Sequence, residues 1–387
     1  MFGEKHVLRI PGPTPVPPEV TRAMTHAMIG HRSSDFSALL ADVEQRLRPL
    51  FGTAGDVAIL AGTGTAGLEA AVQNMIRVGE QMLAVSNGNF GDRFADIASR
   101  TGARVEVLRY EWGQATDPED IDRLLTEHPA IKTVLLTHCE TSTGVLNDLA
   151  SIARVVRTHD GHLIVDAVSS FLGAPILMDE WGIDVVVTGS QKALGLPPGI
   201  TLVACGPRAW ERIERPGVGT LYFDLARYRK SLADDTTPWT PPVSLVFGLQ
   251  ASLQLIEEEG VAVCYERHLL LRNMTRAAAR AWDMPLFVTE DHYASPTVTT
   301  IATPDFDANA MRKVLKNELH IIVAGGQKHM DGKLLRIGHM GYVDAADMLQ
   351  CIAAMEIALG RIERRIEYGA GVRAAQEVYL NATNSRH

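Results

Sequence analysis

The sequence predicts an α/β protein: a large domain on a mainly parallel seven-stranded sheet, followed by a smaller C-terminal α+β domain. Three observations carry this expectation. A chain of 387 residues, 46% hydrophobic and 21% charged, can bury a substantial core and is too long for one ordinary domain. From about residue 55, short apolar runs alternate with amphipathic segments, the pattern of parallel strands covered by helices on both faces. That rhythm stops after Gly206.

In chain order, Ile10-Pro-Gly-Pro-Thr-Pro-Val-Pro-Pro18 can be neither helix nor central strand, because proline lacks an amide donor and fixes φ. Residues 1–20 are expected to form an extended arm. Strands are expected at 57–60, 82–85, 105–108, 133–137, 163–168, 185–188 and 201–204, with helices at 66–77, 90–100, 118–127 and 148–158. Residues 215–245, rich in Pro, Gly, Asp and Thr, read as a long irregular excursion, and such loops in enzymes carry function or an interface. Helices at 244–258 and 262–282, strands at 297–301 and 321–323, and a terminal helix at 345–362 follow. The large domain is set at 21–250 and the small one at 251–387.

Composition narrows the function classes. A net charge of −9 without a Lys/Arg-rich run argues against nucleic-acid binding. Cys139, Cys205, Cys264 and Cys351 lie far apart, which fits a reducing compartment better than a disulfide framework or a zinc site. The 13 histidines show no H-x-x-x-H or H-E-x-x-H spacing, so no metal site is expected. The start carries charges and five prolines instead of an apolar signal core, and no apolar run is long enough to span a membrane. A soluble cytoplasmic protein is expected.

Three features fall where open α/β sheets place ligands, beyond the carboxyl ends of strands. Gly62-Thr-Gly-Thr-Ala-Gly67 follows a short strand and opens a helix, so its amides and the helix dipole suit a phosphate. It also matches the G-x-G-x-x-G dinucleotide pattern, with Glu80 near the offset of a ribose-binding acid; the plainer alternative is a glycine-rich turn without a ligand. Asp166, in Leu163-Ile-Val-Asp-Ala-Val168, is a carboxylate at the end of a buried strand. Such a group needs a cation or several donors facing it; a pyridinium nitrogen is one such cation, and a role in capping the next loop is the simpler one. Lys192 follows the strand and turn Val185-Val-Val-Thr-Gly-Ser-Gln191. Lysine there is ordinarily solvated, but a desolvated amine has the lowered pKa that Schiff-base chemistry requires. Phosphate turn, strand-end Asp, and a strand-end Lys 26 residues later say more together than any one alone.

The chain also carries Pro11-Gly-Pro-Thr14, Gly30-His-Arg-Ser33, Asn87-Gly-Asn-Phe-Gly91 and Thr137-His-Cys-Glu-Thr-Ser-Thr-Gly144. Val165-Asp-Ala-Val-Ser-Ser170, Met178-Asp-Glu-Trp-Gly182, Gly189-Ser-Gln-Lys-Ala193, Pro197-Pro-Gly199, Ala324-Gly-Gly326 and Leu335-Arg-Ile-Gly-His-Met-Gly341 follow. In this order the text resembles the class V aminotransferases, specifically the alanine–glyoxylate and serine–glyoxylate group, almost from end to end.

The resemblance implies a fold-type I transferase dependent on pyridoxal 5'-phosphate, moving an amino group from alanine or serine to glyoxylate by a ping-pong mechanism. It implies that Lys192 holds the cofactor and shuttles the α-proton, and that Asp166 pairs with the pyridinium nitrogen. Thr63, Gly64 and Thr65, with Gln191, are implied to bind the phosphate. Phe90 would stack on the ring where relatives often have a larger aromatic, Thr141 would lie near the phenolic oxygen, and Val168 would press on the opposite face. Arg336 would grip the substrate carboxylate, for which a planar guanidinium is suited; otherwise it is a surface arginine. Thr240 matches a position that reaches the neighbouring subunit's phosphate, which implies a homodimer with shared sites, although Thr237–Trp239 departs from relatives that carry Tyr and His there. His31 and His138 lie in matching text but are expected to support the site rather than react.

Other readings compete. Ureidoglycine is a donor in near relatives, whose C-terminal text is similar to Arg361-Ile-Glu-Arg-Arg-Ile-Glu-Tyr-Gly369. A class V desulfurase or lyase would need a cysteine on a mobile loop, whereas Cys264 and Cys351 fall in helical text. An NAD-dependent dehydrogenase built on Gly62–Gly67 would leave Asp166 and Lys192 unexplained. A non-catalytic subunit of a larger complex is the remaining alternative, against which stand intact Lys192, Asp166 and Arg336.

Overall fold

The computed structural model describes residues 6–214 and 219–384. Residues 1–5 of the expected arm, 215–218 of the excursion and 385–387 of the small domain lie outside the described residues. The strands are β1 (Val7–Arg9), β2 (Val57–Gly62), β3 (Gln81–Ser86), β4 (Arg104–Arg109), β5 (Thr133–Thr137), β6 (Cys139–Glu140), β7 (Val145–Leu146), β8 (His162–Asp166), β9 (Val185–Gly189), β10 (Gly199–Cys205), β11 (Val298–Ala302), β12 (Ile321–Gly325) and β13 (Leu334–Gly338). The helices are α1 (Pro18–Met24), α2 (Ser34–Phe51), α3 (Gly64–Met75), α4 (Asn89–Arg100), α5 (Pro118–Glu127), α6 (Leu149–Thr158), α7 (Met178–Trp181), α8 (Pro207–Ile213), α9 (Leu225–Leu232), α10 (Val243–Glu259), α11 (Val261–Ala281), α12 (Ala308–Leu319), α13 (Ala345–Arg361) and α14 (Ala370–Asn384).

Seven strands form the larger sheet, in the order β2-β10-β9-β8-β5-β3-β4. Alternate side chains leave opposite faces of a strand, and both faces here are apolar. Val57 and Ile59 of β2 join a core with α2, α6 and α10, whereas Ala58 and Leu60 join a second core with α3 and α4. All neighbours pair in parallel except β10, which is antiparallel to β2 and β9. A short Ser190–Pro198 link returns the chain directly, leaving no room for the crossover helix that a parallel neighbour needs.

The smaller sheet runs β1-β12-β13-β11 against a third core that includes residues of α11, α12 and α13. Four features depart from the sequence reading. The arm contributes β1, which pairs in parallel with β12 (Val7↔Ile321). Helix α13 is not terminal: α14 follows it, and the buried Glu356 carboxylate closes its start by accepting from the amides of Gly369 and Gly371 at 2.7 and 2.8 Å. The expected boundary at 250/251 falls inside α10, whose residues as far as Ile256 belong to the core beneath the large sheet. Within the excursion, Leu225–Leu232 is helical, with Asp224 capping it through the Arg227 amide.

Candidate active site

The carboxyl ends of β2, β3, β5, β8 and β9 lie at one end of the large sheet, and the segments that leave them enclose a cavity of about 290 Å³. Thr63, Gly64, Thr65, Phe90, Thr141, Asp166, Val168, Gln191 and Lys192 all line it. A larger open groove of about 860 Å³, lined in part by Arg154, Trp181 and Arg208, lies by the amino ends of β8 and β9 and contains no lysine.

Lys192 sits two residues into the turn after Ser190, pinned by bonds from the Ser190 amide to the Ile200 carbonyl and from Ser190 Oγ to the Pro197 carbonyl. Its Nζ donates to the Pro11 carbonyl at 2.5 Å. The arm approaches so closely that a Cβ on Gly12, at φ +133°, would lie 2.8 Å from Lys192 Cδ; glycine alone fits there. Burial pulls the Lys192 pKa down to about 8, so a substantial fraction of the amine is neutral near physiological pH.

Asp166 ends β8 with 5% of its surface exposed. Among the described residues its carboxylate has one hydrogen-bond donor, the Val168 amide at 2.9 Å, and burial pushes it up to about 6. A buried carboxylate with so few donors is incompletely compensated. At the other end, α3 opens on the Gly62–Thr65 turn, where no intrahelical carbonyl lies ahead of the first amides, and among the described residues the buried Gln191 Oε1 beside it has no hydrogen-bond partner. A Cβ on Gly64 would stand 2.6 Å from Val168 Cγ2, so the turn and the Val168 wall are in close contact.

Arg336 and Thr240 fall outside the cavity lining. Arg336, on β13, is buried beside it, with Nε donating to the Gly325 carbonyl at 2.7 Å and Nη1 to the Thr141 carbonyl at 3.1 Å. Burial lowers its pKa to about 10, with Glu140 acting in the opposite sense. Thr240 is exposed on the excursion. Glu80 accepts from the Arg77 amide at 2.9 Å and pairs with Arg212, so its carboxylate is engaged by other groups and is not offered to a ribose at the glycine turn.

Several site residues escaped the sequence reading. Arg93 lines the cavity, lies 4.8 Å over the Phe90 ring and comes within 3.5 Å of Thr65 Oγ1. Its spacing of three from Phe90, one helical turn, was the available signal. Ser169 bonds Thr141 through their hydroxyls at 2.5 Å. Cys139 also faces the cavity, but burial pushes its thiol up to about 11, which leaves little thiolate for nucleophilic attack. His138, read from the sequence as a supporting residue, is buried, its Nδ1 has no hydrogen-bond partner among the described residues, and burial lowers its pKa to about 4.

The aminotransferase class-V family model matches residues 7–348. The chain belongs to the class-V aminotransferases. Members of this family depend on pyridoxal phosphate. The "soluble hydrogenase 42 kDa subunit" of Anabaena cylindrica is 41% identical over 382 residues, covering 98% of this chain and 100% of that one. An L-aspartate–glyoxylate aminotransferase of Paracoccus denitrificans is 35% identical, over 97% of this chain and 96% of its own. The serine–glyoxylate aminotransferase of Arabidopsis thaliana is 33% identical, over 98% and 96%. Among solved structures, the ureidoglycine–glyoxylate aminotransferase of Bacillus subtilis superposes with a TM-score of 0.91 at 32% identity, over 98% of this chain and 99% of that one.

The residues present fit the family's cofactor. A poorly compensated buried carboxylate suits a pyridinium, a desolvated amine suits an aldehyde, and open helix amides beside an unpartnered amide oxygen suit a phosphate monoester with its bridging waters or proton. In this class-V aminotransferase all three line one cavity.

Proposed function

We propose that this aminotransferase moves the amino group of a small amino acid, alanine or serine, to glyoxylate by a ping-pong mechanism. The observation that carries the reading is the cavity shared by Lys192, Asp166 and the Gly62–Thr65 turn; the glyoxylate relatives favour the acceptor. When bound, pyridoxal phosphate supplies an electron sink for the substrate's α-carbon.

The chain's own groups would divide the remaining work. Asp166 would hold a proton on the pyridine nitrogen, and Gly64, Thr65 and Gln191 would hold the phosphate. Phe90 and Val168 would confine the ring, and Thr141 would face its phenolic edge. Arg336 has two nitrogens committed to carbonyls and would offer the rest of its fork to the carboxylate common to donor and acceptor. Lys192, neutral above about pH 8, would take the α-proton and return it. Its Nζ donates to the Pro11 carbonyl, so the arm lies against the base as a free amine.

We further propose a cytoplasmic homodimer. Thr240 lies on an excursion that exposes Leu221 and Tyr222 and stacks Tyr222 on Trp239, a surface suited to a second copy whose phosphate Thr240 would meet. All four cysteines are free, in keeping with a reducing compartment. A second reading, a subunit of a redox assembly, is favoured by the name of the Anabaena relative; the Lys192–Asp166 site favours catalysis.

The test is to assay purified protein with glyoxylate against alanine, serine, aspartate and ureidoglycine, alongside light scattering. Turnover with alanine or serine supports the reading. Turnover with aspartate or ureidoglycine alone moves the donor assignment, and no turnover with any donor sinks it in favour of the subunit role.

A further inference from the structure

Glu140 is fully buried and is not among the residues assigned above to the cofactor or substrate. Its Oε2 accepts from the amides of Phe90 and Gly91 at 3.0 and 2.9 Å. Its Oε1 accepts from the amide and hydroxyl of Ser142 at 3.0 and 2.5 Å. Ser142 Oγ in turn accepts from the Asn89 amide at 2.9 Å. The first three amides of α4 therefore all end on the Glu140–Ser142 segment, whereas α4 has no side-chain cap from its own Gly88. A carboxylate at a helix start complements the positive end of the dipole.

The packing is built around this group. A Cβ on Gly88 would stand 2.4 Å from Glu140 Cδ and 2.5 Å from Ser142 Oγ, so no side chain fits there without displacing the carboxylate. Burial pushes the Glu140 pKa up, and the donors from Ser142, Gly91 and Phe90 work against it. Between the two ends of the network lies Thr141, whose carbonyl accepts from Arg336 and whose hydroxyl pairs with Ser169.

We infer that Glu140 is a positioning residue, tying the Phe90 turn to the Thr141–Arg336 contact so that the ring-facing and carboxylate-facing sides of the site are held as one unit. The inference rests on the aminotransferase reading, in which Phe90 meets the ring and Arg336 the substrate carboxylate. A helix cap alone would affect stability only; a positioning residue also sets how the ring lies and how well carboxylates bind.

The experiment compares wild type with Glu140→Gln, Glu140→Asp and Ser142→Ala, each loaded with pyridoxal phosphate. Three properties are read: visible circular dichroism of the bound cofactor, KM and kcat for donor and keto acid, and Tm. Glutamine turns an NH2 toward one pair of donors and loses the charge. The expected result is a weakened visible dichroic band and a KM raised roughly tenfold or more for both substrates, the scale of losing charge-assisted hydrogen bonds. Glu140→Asp, which keeps the charge but reaches only one donor pair, recovers part of both. Glu140→Gln that folds with wild-type dichroism and KM, or that only lowers Tm, overturns the inference. Should Glu140→Gln fail to fold, Ser142→Ala decides: smaller changes in the same direction support the inference, and wild-type dichroism and KM overturn it. Wild type that binds cofactor but transaminates nothing fails the functional reading, while the dichroism still tests the positioning. Wild type that binds no cofactor fails both.

Discussion

Asp166→Asn should stabilise the cofactor-free protein and weaken its response to the cofactor. The side chain is 95% buried, its one donor among the described residues is the Val168 amide, and burial takes the carboxyl from 3.8 to about 6. At 1.36 kcal/mol per pH unit, the difference of 6 − 3.8, roughly two units, makes ionised Asp166 cost the folded protein about 3 kcal/mol. Below pH 3.8 the carboxyl is protonated in both folded and unfolded chains, and there is no cost. Between 3.8 and about 6 the unfolded chain has lost the proton while the folded one keeps it, so stability falls as pH rises. Above about 6 the cost is fully present. Asparagine keeps an oxygen for the Val168 amide and carries no charge. At about 2.1 cal/mol/K per residue, unfolding this chain has an entropy near 0.8 kcal/mol/K, so Tm should rise by about 4 °C. The assay is thermal melting of stripped wild type and variant at pH 7.5 and pH 4. The gap should be near 4 °C at the higher pH and near zero at the lower. With pyridoxal phosphate the order should reverse, because only the carboxylate can pair with a pyridinium. A stripped variant that melts below wild type at pH 7.5, or a gap independent of pH, would refute the reasoning.

Other outcomes follow from the same geometry. In stripped protein, capture of pyridoxal phosphate by Lys192 should accelerate as pH rises through about 8 and then level off; stopped-flow absorbance would show this, and a rise continuing past 10 would contradict the desolvated amine. Arg336→Gln should raise KM for amino and keto acids by about 10–100-fold, the scale of losing a charge-assisted carboxylate fork, as steady-state kinetics would measure. Arg93→Gln should weaken binding of pyridoxal phosphate about fivefold while leaving pyridoxal unchanged, since Arg93 stands beside Thr65 of the phosphate turn and a single exposed charged contact is worth at most about 1 kcal/mol; fluorescence titration with both ligands separates the two.

Much of this was legible from residue order. Buried strands betray themselves as apolar runs, and the Gly62–Gly67 turn, Asp166 and Lys192 each lie at the end of such a run, so the sheet and the grouping of these residues at one end of it were open to reading without coordinates. Elements whose stability comes from distant partners could not. β1 is three residues beside a proline tract and exists because β12 offers an edge; α14 is closed by Glu356 from another helix. The same holds for Glu140, two of whose donors, the amides of Phe90 and Gly91, lie some fifty residues earlier. Nothing local in the sequence marks Cys139 as facing the cavity, and the burial that raises its thiol pKa comes from distant packing. Antiparallel β10 hides because an apolar run carries no direction.

The measurement that tests the central claim most directly is borohydride reduction of the purified protein in the presence of pyridoxal phosphate, followed by peptide mapping. Wild type should show a visible absorption band that reduction abolishes, with the phosphopyridoxyl group recovered on Lys192, and Lys192→Ala should show neither. A wild type that stays colourless with added cofactor, or a label recovered on any other lysine, would contradict it.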